Sequence, residues 1–221
     1  MNFWILLESK IYKYNLGSSI VDRDTEKVIE SIRKKPYFIA VRDIIDVNSL
    51  LDIGCGNGLV TYALGLDKGI EISQCDIKDT RHPTVLQLPF QLASIDKLPY
   101  GSEEFDYAYV QFVLHHINPE SDIGEIFNGL KRVVKKGIII HEEIATPKTD
   151  LARARSYDEE MNRQFQPENP LEVFRYYTRE EIENLGKDSG LNLERHLVLK
   201  KGTERDDFLQ KHLFYFARDN C

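Results

Sequence analysis

Short apolar runs alternate with helix-like patterns along most of the chain, beginning at Ser49. Apolar residues three and four positions apart predict a helix over Leu59–Leu66, and a second helix that begins near Ser121 and is ended by Gly137. The intervening apolar runs predict strands at Leu50–Ile53, Ile70–Cys75, Tyr107–Val113 and Ile138–Ile140, and a further strand somewhere within Val85–Ala93. Strands that alternate with helices in this way are typical of a parallel sheet with crossover helices.

The C-terminal part of the chain departs from this alternation. Thr178 and Glu181 have the spacing of a capping box, which predicts the start of a helix that continues to Gly190. Two strand-like runs, Leu191–Leu199 and His212–Ala217, follow with no helix between them, so they must pair antiparallel. The sequence therefore predicts an α/β fold whose mostly parallel sheet contains one antiparallel strand near the C-terminus.

The region before the alternating part, residues 1–48, has a helical pattern. Asp24 or Thr25 can cap a helix, and Pro36 predicts a break before a second one. We expect this region to be a helical cap or lid that packs on a main domain formed by residues 49–221.

Composition and charge exclude several classes of protein. The 221 residues carry 29 Lys and Arg against 36 Asp and Glu, and this net charge of -7 does not favour sequence-blind nucleic-acid binding. The first apolar run, Phe3–Leu7, is too short to span a membrane; we interpret it as a packing or lid surface, and the alternative is an interfacial anchor containing Trp4. Cys55, Cys75 and Cys221 lack the spacing of metal ligands. We therefore expect no metal site, no integral membrane segment and a reduced, cytoplasmic environment.

A glycine-rich segment, Asp52-Ile53-Gly54-Cys55-Gly56-Asn57-Gly58, lies between the first predicted strand and its helix. Glycines at this point let the chain turn sharply and let a ligand approach the backbone. Asp76 ends the next predicted strand, where an acid that binds ribose belongs in such folds. A dinucleotide fingerprint would need glycine where Leu59 stands, and no phosphate-loop motif is present. The spacing therefore favours an adenosine ligand with a smaller anionic end over a pyrophosphate cofactor.

Four segments, in order, resemble motifs of class I S-adenosylmethionine-dependent methyltransferases of the type 11 methyltransferase-domain group. They are Leu51–Gly58 (E/D-x-G-x-G-x-G in the family), Leu98–Asp106, Val113–His116, and Leu130–Gly137 with Lys136 where proline is usual. The similarity covers about Ser49 to Glu143. It implies a Rossmann-like three-layer sandwich with a seven-stranded sheet. It also implies S-adenosyl-L-methionine as the cofactor and S-adenosyl-L-homocysteine as the product.

The resemblance assigns roles to five residues near the first two strands. The backbone of Gly54, Cys55 and Gly56 would lie along the methionine part of the cofactor. Asp52 would orient the loop and reach the ammonium group of the cofactor through water. Asp76 would accept hydrogen bonds from the ribose hydroxyls.

The contacts to the two ends of the cofactor involve other residues. Gln111, near the end of the fourth strand, would offer backbone contacts to the methionine end. At the adenine ring the family often has an acid where Ser94 stands, together with the amide of the next residue, Ile95. Ser94 accepts a hydrogen bond more weakly than a carboxylate does, and Asp96 is the alternative. The adenine contact is therefore where this sequence departs from the family pattern.

Histidines and acids follow the fourth and fifth predicted strands, at the edge where open α/β sheets bind ligands. His116 and His115 are candidate catalytic bases, because an imidazole can take a proton from a hydroxyl or amine at neutral pH. The alternative is that the two histidines shape the cofactor pocket or pack. His141 and Glu142 are candidate substrate residues, with a solvated loop as the alternative for Glu142 and Glu143.

A long insert, residues 145–177, separates the fifth strand from the capped helix. It is rich in arginine and aromatic residues, of which Arg153 and Tyr157 are candidate substrate contacts. Together with the N-terminal region it could cover a partly apolar acceptor that carries an acid or phosphate group. The alternative is a solvated helix with an apolar underside.

The resemblance implies an enzyme that moves a methyl group to a small-molecule acceptor by in-line displacement. The alternative is a non-catalytic module or regulatory partner that binds S-adenosylmethionine with the same fold. The Asn/Asp-Pro-Pro-Tyr motif of enzymes that methylate exocyclic amino groups of nucleic acids is absent after the fourth strand, where Gln111–Leu114 stands. A small metabolite is therefore favoured over DNA or RNA, while the acceptor atom and the oligomeric state stay open.

Overall fold

The computed structural model describes residues 21–46, 48–165, 170–199 and 209–218. The helices and strands, in chain order, are α1 (Val21–Arg33), α2 (Pro36–Ile44), β1 (Ser49–Ile53), α3 (Leu59–Lys68), β2 (Glu71–Asp76), β3 (Phe90–Leu92), β4 (Phe105–Gln111), α4 (Ile123–Val133), β5 (Val134–Ala145), α5 (Leu151–Phe165), β6 (Tyr177–Thr178), α6 (Arg179–Asp188), β7 (Leu191–Val198) and β8 (Leu209–Arg218). None of these helices is long and apolar enough to cross a membrane.

A single mixed sheet forms the centre of the fold, with the strand order β3-β2-β1-β4-β5-β8-β7. Strands β1 to β5 pair in parallel, whereas β8 runs antiparallel between β5 and β7. The prediction of a mostly parallel Rossmann-like sheet with one antiparallel strand near the C-terminus is confirmed. The sheet has eight strands rather than seven because the two-residue β6 pairs with β5 beside this path.

Helices cover both faces of the sheet, which makes three layers. Ile138 and Ile140 of β5 belong to the core beneath α4 and α6. Ile139 belongs to the other core, beneath α1, α2 and α3. Because side chains alternate along a strand, His141 and Glu142, at the end of β5, face opposite layers of the molecule.

The described part of the N-terminal region consists of α1 and α2. Pro36 is the first residue of α2, so the predicted break at this proline is confirmed. Asp24 and Thr25 lie inside α1, which already includes Val21, so neither residue caps the helix as predicted. The apolar run Phe3–Leu7 lies outside the described residues.

Of two strands in the middle of the chain, one lies where it is predicted and one is shifted. The strand expected somewhere within Val85–Ala93 is the short Phe90–Leu92, which follows a 3-10 turn at Pro83–Val85. The predicted strand Tyr107–Val113 is shifted towards the N-terminus and spans Phe105–Gln111. The chain therefore leaves β4 two residues earlier than expected.

Strand β5, Val134–Ala145, is much longer than the three residues predicted for it. Gly137 lies inside this strand rather than ending the preceding helix, and a Cβ there would lie 2.2 Å from the carbonyl oxygen of Phe216. Glu142 and Glu143 are strand residues that are 0% and 5% exposed. The interpretation of these two acids as part of a solvated loop is therefore wrong.

The C-terminal elements follow the predicted pattern. The Thr178 hydroxyl accepts a hydrogen bond from the amide of Glu181 at 3.2 Å, and the Glu181 carboxylate accepts one from the amide of Thr178 at 2.7 Å. This reciprocal pair is the capping box that the sequence predicts. Helix α6 then leads into β7, and β8 returns antiparallel to it.

Candidate functional site

The glycine-rich loop after β1 has a backbone that few other residues tolerate. Gly54, Gly56 and Gly58 have φ angles of 70°, 53° and 71°, in the left-handed region where a Cβ is strained. A Cβ at Gly54 would lie 2.4 Å from a methyl carbon of Val113, and one at Gly58 would lie 2.4 Å from the side-chain nitrogen Nε2 of Gln74. A Cβ at Gly56 would meet no protein atom within 4 Å. The open side of the loop is therefore at Gly56.

Backbone hydrogen bonds hold this loop against the end of β2. The amides of Gly54 and Cys55 both donate to the carbonyl of Cys75, at 2.8 and 3.1 Å, and the amide of Gly58 donates to the carbonyl of Cys55 at 2.8 Å. Burial, followed by the negative charge of Asp52, raises the pKa of the Cys55 thiol well above its ordinary value. The thiol is therefore protonated at neutral pH, and Cys55 contributes its backbone rather than a nucleophile.

Asp76, at the end of β2, is tied to the same loop. Its Oδ2 accepts a hydrogen bond from the amide of Gly56 at 2.8 Å, and its Oδ1 accepts one from the amide of Lys78 at 3.3 Å. The hydroxyl of Thr80 donates to the carbonyl of Gly56 at 3.3 Å, so the segment after β2 folds back onto the loop. The sequence did not predict the contact of Thr80 with the loop, because no local motif marks it and it forms only when the segment after β2 folds back.

Asp52 is a buried carboxylate at the end of β1, only 4% exposed. It accepts a hydrogen bond from the hydroxyl of Thr61 at 2.5 Å, and none of the described cationic side chains forms an ion pair with it. Burial raises the pKa of Asp52 to about 7; the Thr61 hydrogen bond opposes this rise, and the charge of Asp76 adds to it. A buried carboxylate without a counter-charge is costly, so this position suits a ligand that carries a positive group.

The residues predicted to contact an adenine ring lie beside Asp76. Its carbonyl accepts a hydrogen bond from the amide of Ala93 at 2.9 Å, which brings the next residues to the end of β2. The side chain of Ile95 is packed in the core, so only its backbone amide is available to a ligand. Ser94 is half-buried and does not cap the 3-10 turn that it precedes, and Asp96 is exposed. The adenine contact of this turn stays a prediction.

Gln111 and His141 meet across the ends of β4 and β5. Because the Gln111 amide nitrogen donates to Nδ1 of His141 at 3.1 Å, the proton of the neutral imidazole lies on Nε2, which has no partner among the described residues. The imidazole is packed against the rings of Tyr37 and Phe112, at centroid distances of 4.8 and 4.5 Å. Burial, followed by the charge of Lys211, keeps the pKa of His141 well below its ordinary value. His141 is therefore a neutral, enclosed hydrogen-bond donor.

His115 and Glu142 form a buried pair on the opposite face of the sheet. Nδ1 of His115 lies 2.7 Å from Oε1 of Glu142, and the two residues are 5% and 0% exposed. Burial alone would lower the pKa of His115, but the charge of Glu142 and its hydrogen bond raise that pKa above its ordinary value. The pair therefore favours an imidazolium next to a carboxylate.

His116 has the opposite electrostatic environment. Its Nδ1 donates to the carbonyl of Glu172 at 2.5 Å, so the neutral ring carries its lone pair on Nε2. Burial, followed by the positive charge of His115, lowers the pKa of His116 to about 4. The two rings lie 4.0 Å apart, and their environments shift their pKa values in opposite directions. Such divergence is typical of acid and base pairs in active sites.

The insert packs directly on this histidine pair. The amide of Phe174 donates to the carbonyl of His115 at 2.9 Å, and the ring of Tyr176 lies 5.9 Å from that of His115. The hydroxyl of Tyr176 donates to the buried carboxylate of Asp158 on α5, and Arg155 donates to the carbonyl of Phe174 at 2.8 Å. The insert therefore lies against the chain that leaves β4.

The structure divides the predicted substrate residues between different places. His141 and Glu142 face opposite layers of the sheet and cannot line one pocket together. Arg153 is exposed and Tyr157 is half-buried on α5. Sequence reasoning did not single out Tyr37, Glu172, Tyr176 and Asp158, which make the contacts described above. Only the aromatic and arginine content of the insert, which includes Tyr176, gave a signal for any of these four.

Comparison with known sequences gives two matches within the chain. A protein-family model described as "Methyltransferase domain" matches residues 51–140. An uncharacterized protein, MJ1252 of Methanocaldococcus jannaschii, is 32% identical over 98 residues. That match spans 42% of this chain and only 37% of the length of the relative.

Comparison with solved structures shows a similar fold in several proteins. A SAM-dependent methyltransferase of Methanosarcina mazei has a TM-score of 0.61 at 20% identity, over 81% of this chain and 96% of the other. One of Archaeoglobus fulgidus has a TM-score of 0.63 at 14% identity, over 98% and 100% of the two chains. A geranyl diphosphate C-methyltransferase of Streptomyces coelicolor, solved with Mg2+, geranyl diphosphate and S-adenosyl-L-homocysteine, has a TM-score of 0.63 at 12% identity, over 93% and 86%. At these low identities, the similarity is evidence for a shared fold alone.

Proposed function

We propose that this protein is a class I S-adenosylmethionine-dependent methyltransferase that transfers a methyl group from S-adenosyl-L-methionine to a small-molecule acceptor, because residues 51–140 match a methyltransferase-domain model and the fold is similar to that of such enzymes. The observation that carries the proposal is the loop at Gly56. Its backbone is left-handed, its outer side is open, and its amide is bound by the Asp76 carboxylate. This arrangement leaves room for a ligand next to the backbone and places an acid beside it.

The described residues fit the proposed cofactor. Asp52 is a buried carboxylate without a counter-charge, which suits the ammonium group of the methionine part. Asp76 has carboxylate oxygens that can accept from ribose hydroxyls while one of them holds Gly56. The amide of Ile95, with Ser94 or Asp96, would contact the adenine ring. The backbone of Gln111 would lie at the methionine end.

When bound, this cofactor supplies a methyl group on a positively charged sulfur, which a nucleophile in a dry and aligned site can displace. The task of the protein is then to orient the acceptor and, where the acceptor carries a proton, to receive it. His116 is suited to that second task, because its neutral ring keeps a lone pair on Nε2. A base with a pKa of about 4 can receive a proton only from an atom that becomes strongly acidic on methylation, as a hydroxyl oxygen does when it gains a third bond.

A small molecule is the acceptor class that we propose. The insert lies against the histidine pair, and α2 brings Tyr37 to the same sheet edge from the other face. With the insert on one face and α2 on the other, the site suits a small acceptor that can be enclosed better than a long polymer. The fold neighbours include a protein described as acting on geranyl diphosphate, a small molecule.

The first experiment tests the cofactor. Calorimetric titration with S-adenosyl-L-homocysteine should give one-site binding, with NAD as the comparison ligand. Because the loop lacks the third glycine of a dinucleotide fingerprint, NAD should give no signal. Binding of NAD instead of S-adenosyl-L-homocysteine would contradict the proposed function.

The second experiment tests transfer and the role of His116. Cell extract is incubated with the protein and S-adenosylmethionine labelled in its methyl group, and labelled small molecules are identified by mass spectrometry. His116→Ala should reduce labelling by about 10²–10⁴-fold, the usual contribution of a general base. His196→Ala, on β7, is the matched control and should leave it unchanged. Cofactor binding without any transfer would favour the non-catalytic module, and full transfer by His116→Ala would exclude His116 as the base.

A further inference from the structure

Glu142 is a fully buried carboxylate whose three hydrogen-bond partners are all donors. Its Oε2 accepts from the amide of Leu114 at 2.8 Å, and its Oε1 accepts from Nδ1 of His115 at 2.7 Å and from the amide of Glu143 at 2.8 Å. A side-chain amide could not replace this carboxyl group, because it would present its own N–H to one of the three donors. Glu142 therefore fixes the turn after β4 through the three hydrogen bonds that it accepts.

The turn that Glu142 fixes is also the place where the insert attaches. The carbonyl of His115 accepts from the amides of Phe174 and Arg175, at 2.9 and 3.4 Å. The ring of Tyr176 lies nearly parallel to that of His115, at an interplanar angle of 25°. Backbone and side chain of His115 thus both hold the segment 172–176 against the sheet edge.

The same segment determines which nitrogen of His116 carries the proton. The carbonyl of Glu172, two residues before Phe174, accepts from Nδ1 of His116. We propose that His115 is a positioning residue for the reaction: paired with Glu142, it holds the segment 172–176, whose Glu172 carbonyl keeps His116 in the tautomer with its lone pair on Nε2. This inference rests on the proposed function, because it assigns a purpose to that lone pair. His115 itself takes no proton from the acceptor.

The charges around His115 give this arrangement a pH dependence. The titratable groups that contact His115 or act on it by charge come from β5, from α5, from the insert and from its own turn: they are Glu142, Glu143, Asp158, Tyr176 and His116. Of the two β5 acids only Glu142 bonds to His115; Glu143 lies on the opposite face and acts by its charge alone. The pKa of His115 is raised by Glu142 against the effect of burial. The pairing therefore stabilises the segment fully below about pH 6.5, the ordinary histidine value, and this stabilisation is lost as pH rises through the raised pKa of His115.

The test reads the tautomer directly and does not depend on turnover. Two-bond ¹H–¹⁵N spectra of the full-length protein, labelled at histidine nitrogens, should show His116 as the Nδ1–H tautomer. In Glu142→Gln we expect a mixture of tautomers, and amide exchange of Phe174 that is faster by about tenfold or more. Glu143→Gln is the matched control: it is the neighbouring buried acid on the opposite face, near Lys211, and it should leave both signals unchanged.

Two outcomes would overturn the inference: His116 keeping a pure Nδ1–H tautomer in folded Glu142→Gln, or Glu143→Gln producing the same mixture. If Glu142→Gln does not fold, His115→Gln is measured in the same way. The glutamine side chain still offers an N–H donor to Glu142, but it has neither the imidazole ring nor its positive charge. Titration of both variants with S-adenosyl-L-homocysteine separates this question from the proposed function. Loss of the tautomer with normal cofactor binding supports the inference, whereas a wild-type protein that binds no cofactor contradicts the function alone.

Discussion

The two halves of the candidate site, one at the ends of β1 and β2 and the other at the ends of β4 and β5, are built in different ways. In the β1–β2 half the contacts join residues close in sequence: the amide of Gly56 and the carboxylate of Asp76 are 20 residues apart, and the side chains of Asp52 and Thr61 are 9 apart. In the β4–β5 half a histidine side chain contacts a more distant part of the chain in each case. His115 and Glu142 are 27 residues apart, and His116 and Glu172 are 56 apart.

The difference has a physical origin in what each half would bind. A cofactor of fixed shape can be held by a loop in which glycines supply the turn and one acid supplies the polar contact. An acceptor must be enclosed and aligned, and this requires elements that come together only in the folded chain. We therefore expect substitutions in the β1–β2 half to change cofactor affinity, and substitutions of the histidine pair and its insert contacts in the β4–β5 half to leave it unchanged.

The largest effect on cofactor affinity is expected from Gly56→Val. The side chain would occupy the open side of the loop, where a Cβ meets no protein atom, so a ligand is excluded although no packing clash arises. We expect S-adenosyl-L-homocysteine affinity to fall by about 100-fold or more, equivalent to about 2.8 kcal/mol, in calorimetric titration.

Gly69→Val is the control for backbone strain in that comparison. Gly69 ends α3 with a φ of 65° and also has no protein atom within 4 Å of a Cβ. A branched residue there has a similar left-handed penalty of about 1–2 kcal/mol, and should lower stability without lowering affinity. Equal affinity losses in the two variants would show that the Gly56 effect comes from strain alone.

A smaller loss is expected from Asp76→Ala. The change removes the acceptor for the amide of Gly56 and the one that we propose for the ribose hydroxyls. Because hydrogen bonds to a charged group contribute about 1.5–3 kcal/mol, S-adenosyl-L-homocysteine affinity should fall by roughly 10- to 100-fold. Asp79→Ala removes an exposed acid of the following segment, paired with Arg81, and should bind normally. Unchanged affinity in Asp76→Ala would remove this residue from the site.

The β1–β2 half could be predicted from sequence because its signals are local. Gly54 to Gly58 follow a strand at once, and Asp76 ends the next strand, so spacing alone places them together. The β4–β5 half could not be predicted in the same way. Residues of a strand are assigned to a face only when its bounds are known, and the predicted β5 was too short to include His141 and Glu142.

The errors in that half have the same cause. Glu142 was open to interpretation as a loop residue because acids are rarely buried without partners, and its partners are backbone amides and His115. Such partners leave no pattern in the sequence. The contact between His116 and Glu172 depends on how the insert returns to the sheet, which periodicity does not indicate.

A titration of Asp52 would sharpen the comparison further. Its pKa of about 7 should fall when a ligand ammonium group binds beside it, so binding releases a proton and affinity increases with pH. Between about one unit below and one unit above that pKa, S-adenosyl-L-homocysteine affinity should rise by about tenfold. In Asp52→Asn the affinity should be lower and nearly independent of pH. A flat profile in the wild-type protein would mean that no positive group of the ligand reaches Asp52.

The smallest effect is expected in the β4–β5 half, from Tyr176→Phe. The change removes the hydroxyl that donates to the buried carboxylate of Asp158, at a cost of about 1–2 kcal/mol in the free energy of unfolding measured with urea. Tyr177→Phe is the matched control, because the hydroxyl of Tyr177 makes no hydrogen bond among the described residues, and stability should change by less than about 0.5 kcal/mol. Affinity for S-adenosyl-L-homocysteine should be normal in both variants. A loss of affinity in Tyr176→Phe would show that the insert also supports the cofactor loop, and that the two halves are not independent.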